Sequence, residues 1–203
     1  YEDVDGKYKG LDKNIHTSDG FTNYTIFSLW DTYRALHPLF NIIQTERNND
    51  MIKSMLSHQQ QSVHGMLPIW SHYANENWCM IGYHATSVIA DAIVKNVGDF
   101  NKKAALDACI STSNVSYYDG IESYLEKGYV PEDISSSSVS KTLEFAYNDW
   151  GIAQISKELN NTNITSEYLK RAENYKNVYD SRIGFMRPKL NDGNWKEPFD
   201  PMD

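Results

Sequence analysis

Segment 139–159 constrains the fold more than any other stretch of this chain. At helical spacing it is apolar on two faces, with Val139, Leu143, Ala146 and Ala153 on one and Phe145, Ile152 and Ile155 on the other. A helix that is apolar nearly all round must be enclosed by other elements. Yet Lys141, Glu144 and Asn148 recur on the same helix at i, i+3 and i+7. Ionised groups on a buried helix are costly unless each is paired or faces water. A helix that turns such a row into the wet interior of a ring of helices meets both demands. A buried structural ion pair is the plainer alternative.

The rest of the chain fits a ring. Apolar spacing is helical nearly throughout, and no period-two run exceeds a few residues. The spacing predicts helices over 22–36 (closed by Pro38), 46–61, 75–97, 101–111, 119–126, 139–159 and 165–180, with Ser138 placed to cap the sixth. Span 46–61 carries one stripe (Met51, Ile52, Met55, Leu56), and 165–180 another (Tyr168, Leu169, Ala172, Tyr175) with a charged back. Alternation of enclosed and one-faced helices suits a double ring. A solenoid would alternate too, but no period of roughly 34–47 residues appears. The expected class is therefore all-α, part of a toroid, with roughly half the helices of a complete ring. Half a ring leaves its inner face open, so the missing parts of the same polypeptide are an expected partner. The polar opening YEDVDGKYKG and the turn-rich close FDPMD read as the ends of a fragment.

Composition excludes several classes. A net charge of −8 and a pI near 5.2 argue against nucleic acid and against an anionic membrane surface. No run approaches the ~18 apolar residues of a membrane span, and no basic, then apolar, leader opens the chain. Cys79 and Cys109, both in apolar helical surroundings, read as buried free thiols. No HExxH, CxxC, GxGxxG, Walker or GxSxG signature is present, and no histidine pair stands at i, i+4. Asp3-Val4-Asp5-Gly6 hints at a calcium loop, but Lys7 and Tyr8 fill the fifth and sixth places, and the match fails.

Three polar clusters remain. Trp30-Asp31-Thr32-Tyr33-Arg34 offers a flat apolar face, an acceptor and a fork of donors, the parts that grip a sugar. It could equally be an i, i+3 ion pair on a helix. Asn75-Glu76-Asn77-Trp78 would open the helix over 75–97, with Asn75 as N-cap and His84 about two turns on along the same face. A lone helical histidine is more often structural. The third cluster is the row on 139–159, extended by Tyr147, Asp149 and Trp150.

Five collinear blocks then resemble one family. They are GLDKNIHTSDGFTNYTIFSLWDTYRALHPLF, MLPIWSHYANENWCMIGYHATSVIADA, YDGIESYLEKGYVPED, SVSKTLEFAYNDWGIAQ and GFMRPKLNDGNWKEPFDP. The chain resembles the catalytic domain of glycoside hydrolase family 92, the calcium-dependent exo-acting α-mannosidases. The resemblance implies part of an (α/α)6 barrel, with the preceding β-sandwich domain and the C-terminal part of the barrel absent. It implies hydrolysis of terminal α-mannose from glycans with inversion, Ca2+ as cofactor, and a secreted, periplasmic or surface location in a bacterium. One departure is local: Ala74-Asn75-Glu76-Asn77-Trp78 stands where the family pattern is a Gly-Asn-Glu-Thr-Trp-like run, so the acid and the tryptophan are kept.

Inversion needs a carboxylic acid on the leaving oxygen and a carboxylate base on the opposite face, roughly 6.5–9.5 Å apart. The family pattern places both beyond Asp203, so the 203-residue chain alone is expected to be inactive and the calcium ligands to lie outside it. What stays here are the expected sugar-binding residues Trp30, Asp31, Arg34, Asn75, Glu76, Trp78 and His84. Two other readings stand beside this one. One is another (α/α)6 glycosidase or lyase using Glu76 or Asp149, and the other a non-catalytic helical scaffold that binds glycans or proteins.

Overall fold

Residues 2–202 are described by a computed structural model. In chain order they form the hairpin β1 (Lys7–Lys9) and β2 (Ile15–Thr17), a single turn α1 (Leu29–Thr32), α2 (Leu36–Ile43) and α3 (Thr45–Gln61). A second hairpin, β3 (Ser71–His72) and β4 (Asn75–Glu76), precedes α4 (Ala85–Val94) and α5 (Lys102–Thr112). Then come α6 (Ile121–Lys127), α7 (Ser138–Glu158), α8 (Thr162–Ala172), a 3-10 helix (Glu173–Val178) and a last hairpin, β5 (Tyr179–Asp180) and β6 (Phe185–Met186). The class is all-α, part of an (α/α)6 barrel, and the strands make only two-stranded antiparallel pairs.

The hub is α7, which packs along α8 and α4 and touches α5 and the 3-10 helix. Phe145, Ile152 and Ile155 are fully buried and join Tyr83, Val88, Ile89, Tyr124 and Tyr168 in one core. Each such side chain withdrawn from water contributes about 1.5–3 kcal/mol. The helices α4 and α7 close up at Gly151, where an added Cβ would stand 3.4 Å from Thr86 Cγ2. The enclosure is not complete: Tyr147 and Trp150 on α7 and Leu39, Ile42 and Ile43 on α2 remain exposed.

Two expected helices are largely absent. Residues 21–28 run without helix because their amides bond elsewhere: Thr22 N to Asp50 Oδ2, Tyr24 N to Ser54 Oγ and Ile26 N to Ser71 O. Pro38 ends nothing; it sits in the first turn of α2, where its missing N–H costs no bond. The span 75–97 is helical only over Ala85–Val94. Before it, Glu76 accepts the amides of Ile69, Trp70, Asn77 and Trp78, and Trp78 and Gly82 take positive φ. Asn75 is thus no N-cap, and Glu76 and His84 share no helical face. Cys79 lies in this irregular stretch and is exposed, whereas Cys109 is buried; both thiols are free.

Three helix ends also differ. Ser138 is the first residue of α7 rather than its cap, and its amide is taken by Glu132 Oε2 at 3.3 Å. The helix α8 starts earlier than expected because Asn161 caps it through Ile164 N, and it gives way to the 3-10 helix at Glu173. Asn101 caps α5 in the same manner, through Ala104 N.

Candidate functional site

The short turn α1 positions the first cluster. Ser28 donates its hydroxyl to Asp31, which stays exposed. Arg34 folds back so that its Nε–H donates to Trp30 O at 3.0 Å and its guanidinium lies 4.6 Å over the Trp30 ring and 4.7 Å over Tyr33. Stacking of this kind is favourable because the ring face is negative. The ion pair suggested by the sequence does not form: Arg34 turns away from Asp31 to Glu144, Nη2 to Oε1 at 3.5 Å.

His84, placed just before α4, reaches the same point. Its Nε2 is 3.0 Å from Glu144 Oε2, and its ring stacks on Tyr33. Gly82 makes room, since a Cβ there would come within 2.5 Å of His84 Nε2. Asn148 accepts Tyr83 N–H and donates to His84 Nδ1 and Ser87 Oγ. Burial pushes the Glu144 carboxyl up, but the contact with His84 and the charge of Arg34 outweigh it, so the group is held below its usual range. Glu144 is therefore an ionised anchor at neutral pH and a poor proton donor.

The polar row on α7 resolves into pairs. Lys141, nearly buried, meets Asp119 at 2.6 Å and Ser135 Oγ at 2.8 Å. Asn148 is fully enclosed and fully bonded. Only Glu144 keeps a partly open carboxylate. The plainer expectation, buried pairing, describes Lys141 and Asn148; an edge open to solvent describes Glu144.

The second expected cluster lies on another loop. Glu76 is a loop organiser, since a carboxylate that accepts four backbone N–H groups has little left for substrate. Asn75 is exposed and takes a contact from Lys13. Trp78 packs edge-on to His64 at 4.8 Å and tilts against Tyr118 at 5.3 Å, with one flank exposed. The structure brings Trp30, Arg34 and His84 together and leaves Asn75, Glu76 and Trp78 outside that group. It adds Glu144 and Asn148, for which the signal was the row on 139–159, and Tyr33, which stood inside the first cluster.

Asp149, the other carboxylate considered, is wholly buried against Tyr83, Tyr124 and Arg171 and faces no cleft. A separate cavity of about 610 Å3 opens between the first two hairpins, lined by Lys9, Asn23, Thr25, His58, His72 and Tyr73. None of the expected sugar-binding residues lines it. Among the described residues no three His, Cys, Asp or Glu side chains gather to hold a metal ion. The carboxylates nearest the cluster are engaged by Ser28, His84 and Arg34.

The sequence model for the glycosyl hydrolase family 92 catalytic domain matches residues 1–203. A family 92 α-mannosidase of Bacteroides thetaiotaomicron, solved with mannoimidazole, is 52% identical with a TM-score of 0.97 over 99% of this chain and 26% of its own. An inverting family 92 mannosidase of Bacteroides thetaiotaomicron VPI-5482 is 34% identical with a TM-score of 0.87, over 96% of this chain and 27% of its own. An uncharacterised secreted glycosidase of Arthroderma benhamiae is 26% identical over 159 residues, 64% of this chain and 20% of its length. The chain spans about a quarter of the length of the solved structures it matches.

Proposed function

Because the chain belongs to glycosyl hydrolase family 92, we propose that it is part of an enzyme that releases terminal α-linked mannose from glycans such as mannobiose, N-glycans or yeast mannan, with inversion. One observation carries the reading: this chain follows a solved family 92 α-mannosidase from end to end at 52% identity. The inverting outcome follows the second Bacteroides mannosidase. Trp30 supplies a ring for a C–H face of the sugar, Arg34 donors for its hydroxyls, and Asp31 an exposed acceptor. Trp78 offers an exposed ring on another loop.

The acid and base of inversion come from beyond this chain. Glu144 is held ionised between His84 and Arg34, Glu76 is occupied by amides, and Asp149 is sealed in the core. The Ca2+ that the family resemblance implies would take its ligands elsewhere in the polypeptide, a reading supported by the lack of any gathering of three His, Cys, Asp or Glu side chains among the described residues. A β-sandwich before this chain and the rest of the barrel after it would complete the enzyme. Export from the cell fits the secreted Arthroderma relative, and a bacterial periplasm, surface or medium follows from the family resemblance alone. Among the described residues no helix is long and apolar enough to cross a membrane.

The test is hydrolysis of an aryl α-mannoside and of mannobiose, with and without a calcium chelator, by the 203-residue chain and by the full-length gene product. Calcium-dependent release of mannose by the longer protein alone is the expected result. Turnover by the short chain would move the acid or base into residues 1–203.

A further inference from the structure

Asn148 fixes the proton of His84. Its Oδ1 accepts Tyr83 N–H at 2.8 Å, which leaves the Nδ2 group facing His84 Nδ1 at 3.0 Å and Ser87 Oγ at 2.9 Å. An amide NH2 only donates, so His84 Nδ1 must accept, and the ring proton sits on Nε2. That nitrogen is buried, and Glu144 Oε2 at 3.0 Å is the acid facing it, off the line of a full hydrogen bond. Tyr33, stacked on the ring, and the close approach of Gly82 stop the imidazole from turning.

From Glu144 the chain continues outward. Its other oxygen, Oε1, faces Arg34 Nη2 at 3.5 Å, and Arg34 is otherwise held by Trp30 O and by the rings of Trp30 and Tyr33. A guanidinium has five N–H donors, and only the Nε–H and one on Nη2 are engaged among the described residues. The side chain is about half exposed, at 46%. Its free donors therefore point where an incoming ligand can meet them.

We propose that Glu144 is a positioning residue: braced by Asn148 through His84, it aims the Arg34 guanidinium at the hydroxyls of the bound sugar. The inference rests on the α-mannosidase reading. Glu144 itself touches no substrate and transfers no proton. Misplacement of a binding group by about 1 Å can cost on the order of 100-fold in rate.

The experiment is steady-state hydrolysis of an aryl α-mannoside by the full-length gene product and its Glu144→Gln, Glu144→Asp, Arg34→Lys and Glu144→Gln/Arg34→Lys variants, with melting curves for each. Glu144→Gln is expected to lower kcat/KM about 10- to 100-fold, mainly through KM, because the grip on the sugar loosens. Glu144→Asp keeps the charge but falls one methylene short, and should show a smaller loss with an unchanged melt. The double variant should stay within about 2-fold of Arg34→Lys, because both changes act on one guanidinium. Wild-type kinetics in Glu144→Asp and Glu144→Gln, or losses that multiply in the double variant, would overturn the proposal. If Glu144→Gln fails to fold, Glu144→Asp decides alone. A wild-type protein without α-mannosidase activity would bring down the functional reading and this inference with it.

Discussion

Tyr33 lies flat on His84, with ring centroids 4.1 Å apart and planes 4° from parallel. One ring follows α1 and the other precedes α4, so the stack ties two irregular segments that share no backbone ladder. It is the floor on which the Arg34 guanidinium rests.

Replacing Tyr33 by Leu keeps an apolar side chain and deletes the stack. An aromatic pair contributes about 0.5–1.5 kcal/mol beyond its buried area. Urea unfolding of Tyr33→Leu should show a loss of about 1 kcal/mol. Tyr147, exposed and tilted 45° to Tyr33 at 5.7 Å, is the control. Its change to Leu should cost less than half as much, and equal costs would mean that the stack adds nothing beyond area.

The turn between β3 and β4 holds Tyr73 at φ +51° and Ala74 at φ +54°. A two-residue hairpin turn with both φ positive favours Asn-Gly, and a non-glycine residue there costs about 1 kcal/mol. Ala74→Gly should therefore raise stability by about 1 kcal/mol, read as a higher denaturant midpoint. The backbone carbonyl that meets Lys13 is kept. A lower midpoint would show that glycine's freedom in the unfolded chain outweighs the relief.

The same turn shows where sequence reading stops. The helices α3, α5 and α7 were legible because their stripes and bounding polar residues are local. Residues 21–28 and 77–84 were not, because their conformation is set by groups remote in sequence: Ser54 Oγ, Ser71 O and Asn148 Oδ1. Glu76 looked like a first-turn helix residue, and nothing in its spacing reveals that it gathers amides on both sides of a hairpin. In the site, Trp30, Arg34 and His84 were legible as residue types. The carboxylate that joins Arg34 to His84 was visible only as the middle member of a row on α7, since pairing across elements leaves no periodicity.

Acid should weaken the fold through His58. It is buried beside Phe27, and burial lowers its pKa to about 4 from 6.5. Between those values the unfolded chain binds a proton that the folded chain refuses, so stability falls as pH drops from 6.5 towards 4 and levels off below. At about 1.4 kcal/mol per unit the loss amounts to roughly 3 kcal/mol. His37, also lowered by burial, adds a loss of the same sign. Urea midpoints measured from pH 7 to pH 4 should fall steeply in the wild type and less so in His58→Gln. An unchanged slope would assign the acid sensitivity to other groups.

Asp149 separates structural from chemical carboxylates. It sits on α7 with no exposed surface, accepting Tyr83 OH at 2.7 Å, Tyr124 OH at 2.8 Å and Arg171 Nε at 3.0 Å. Removing one partner of a buried pair strands the other charge, at a cost of about 3–5 kcal/mol, whereas replacing both with apolar groups is often neutral. Asp149→Leu should therefore lower the unfolding free energy by several kcal/mol, Tyr124→Phe by about 1–2 kcal/mol, and Asp149→Leu/Arg171→Leu by less than Asp149→Leu alone. Chemical denaturation of the three variants checks the order. A catalytic Asp149 would behave the other way round, because active-site charges are held at the expense of stability. Its isosteric change to Asn would then abolish turnover while leaving the denaturation midpoint unchanged or higher. The enclosed geometry forecasts a large fall in stability, and a stable but inactive Asp149→Asn would return this carboxylate to the reaction.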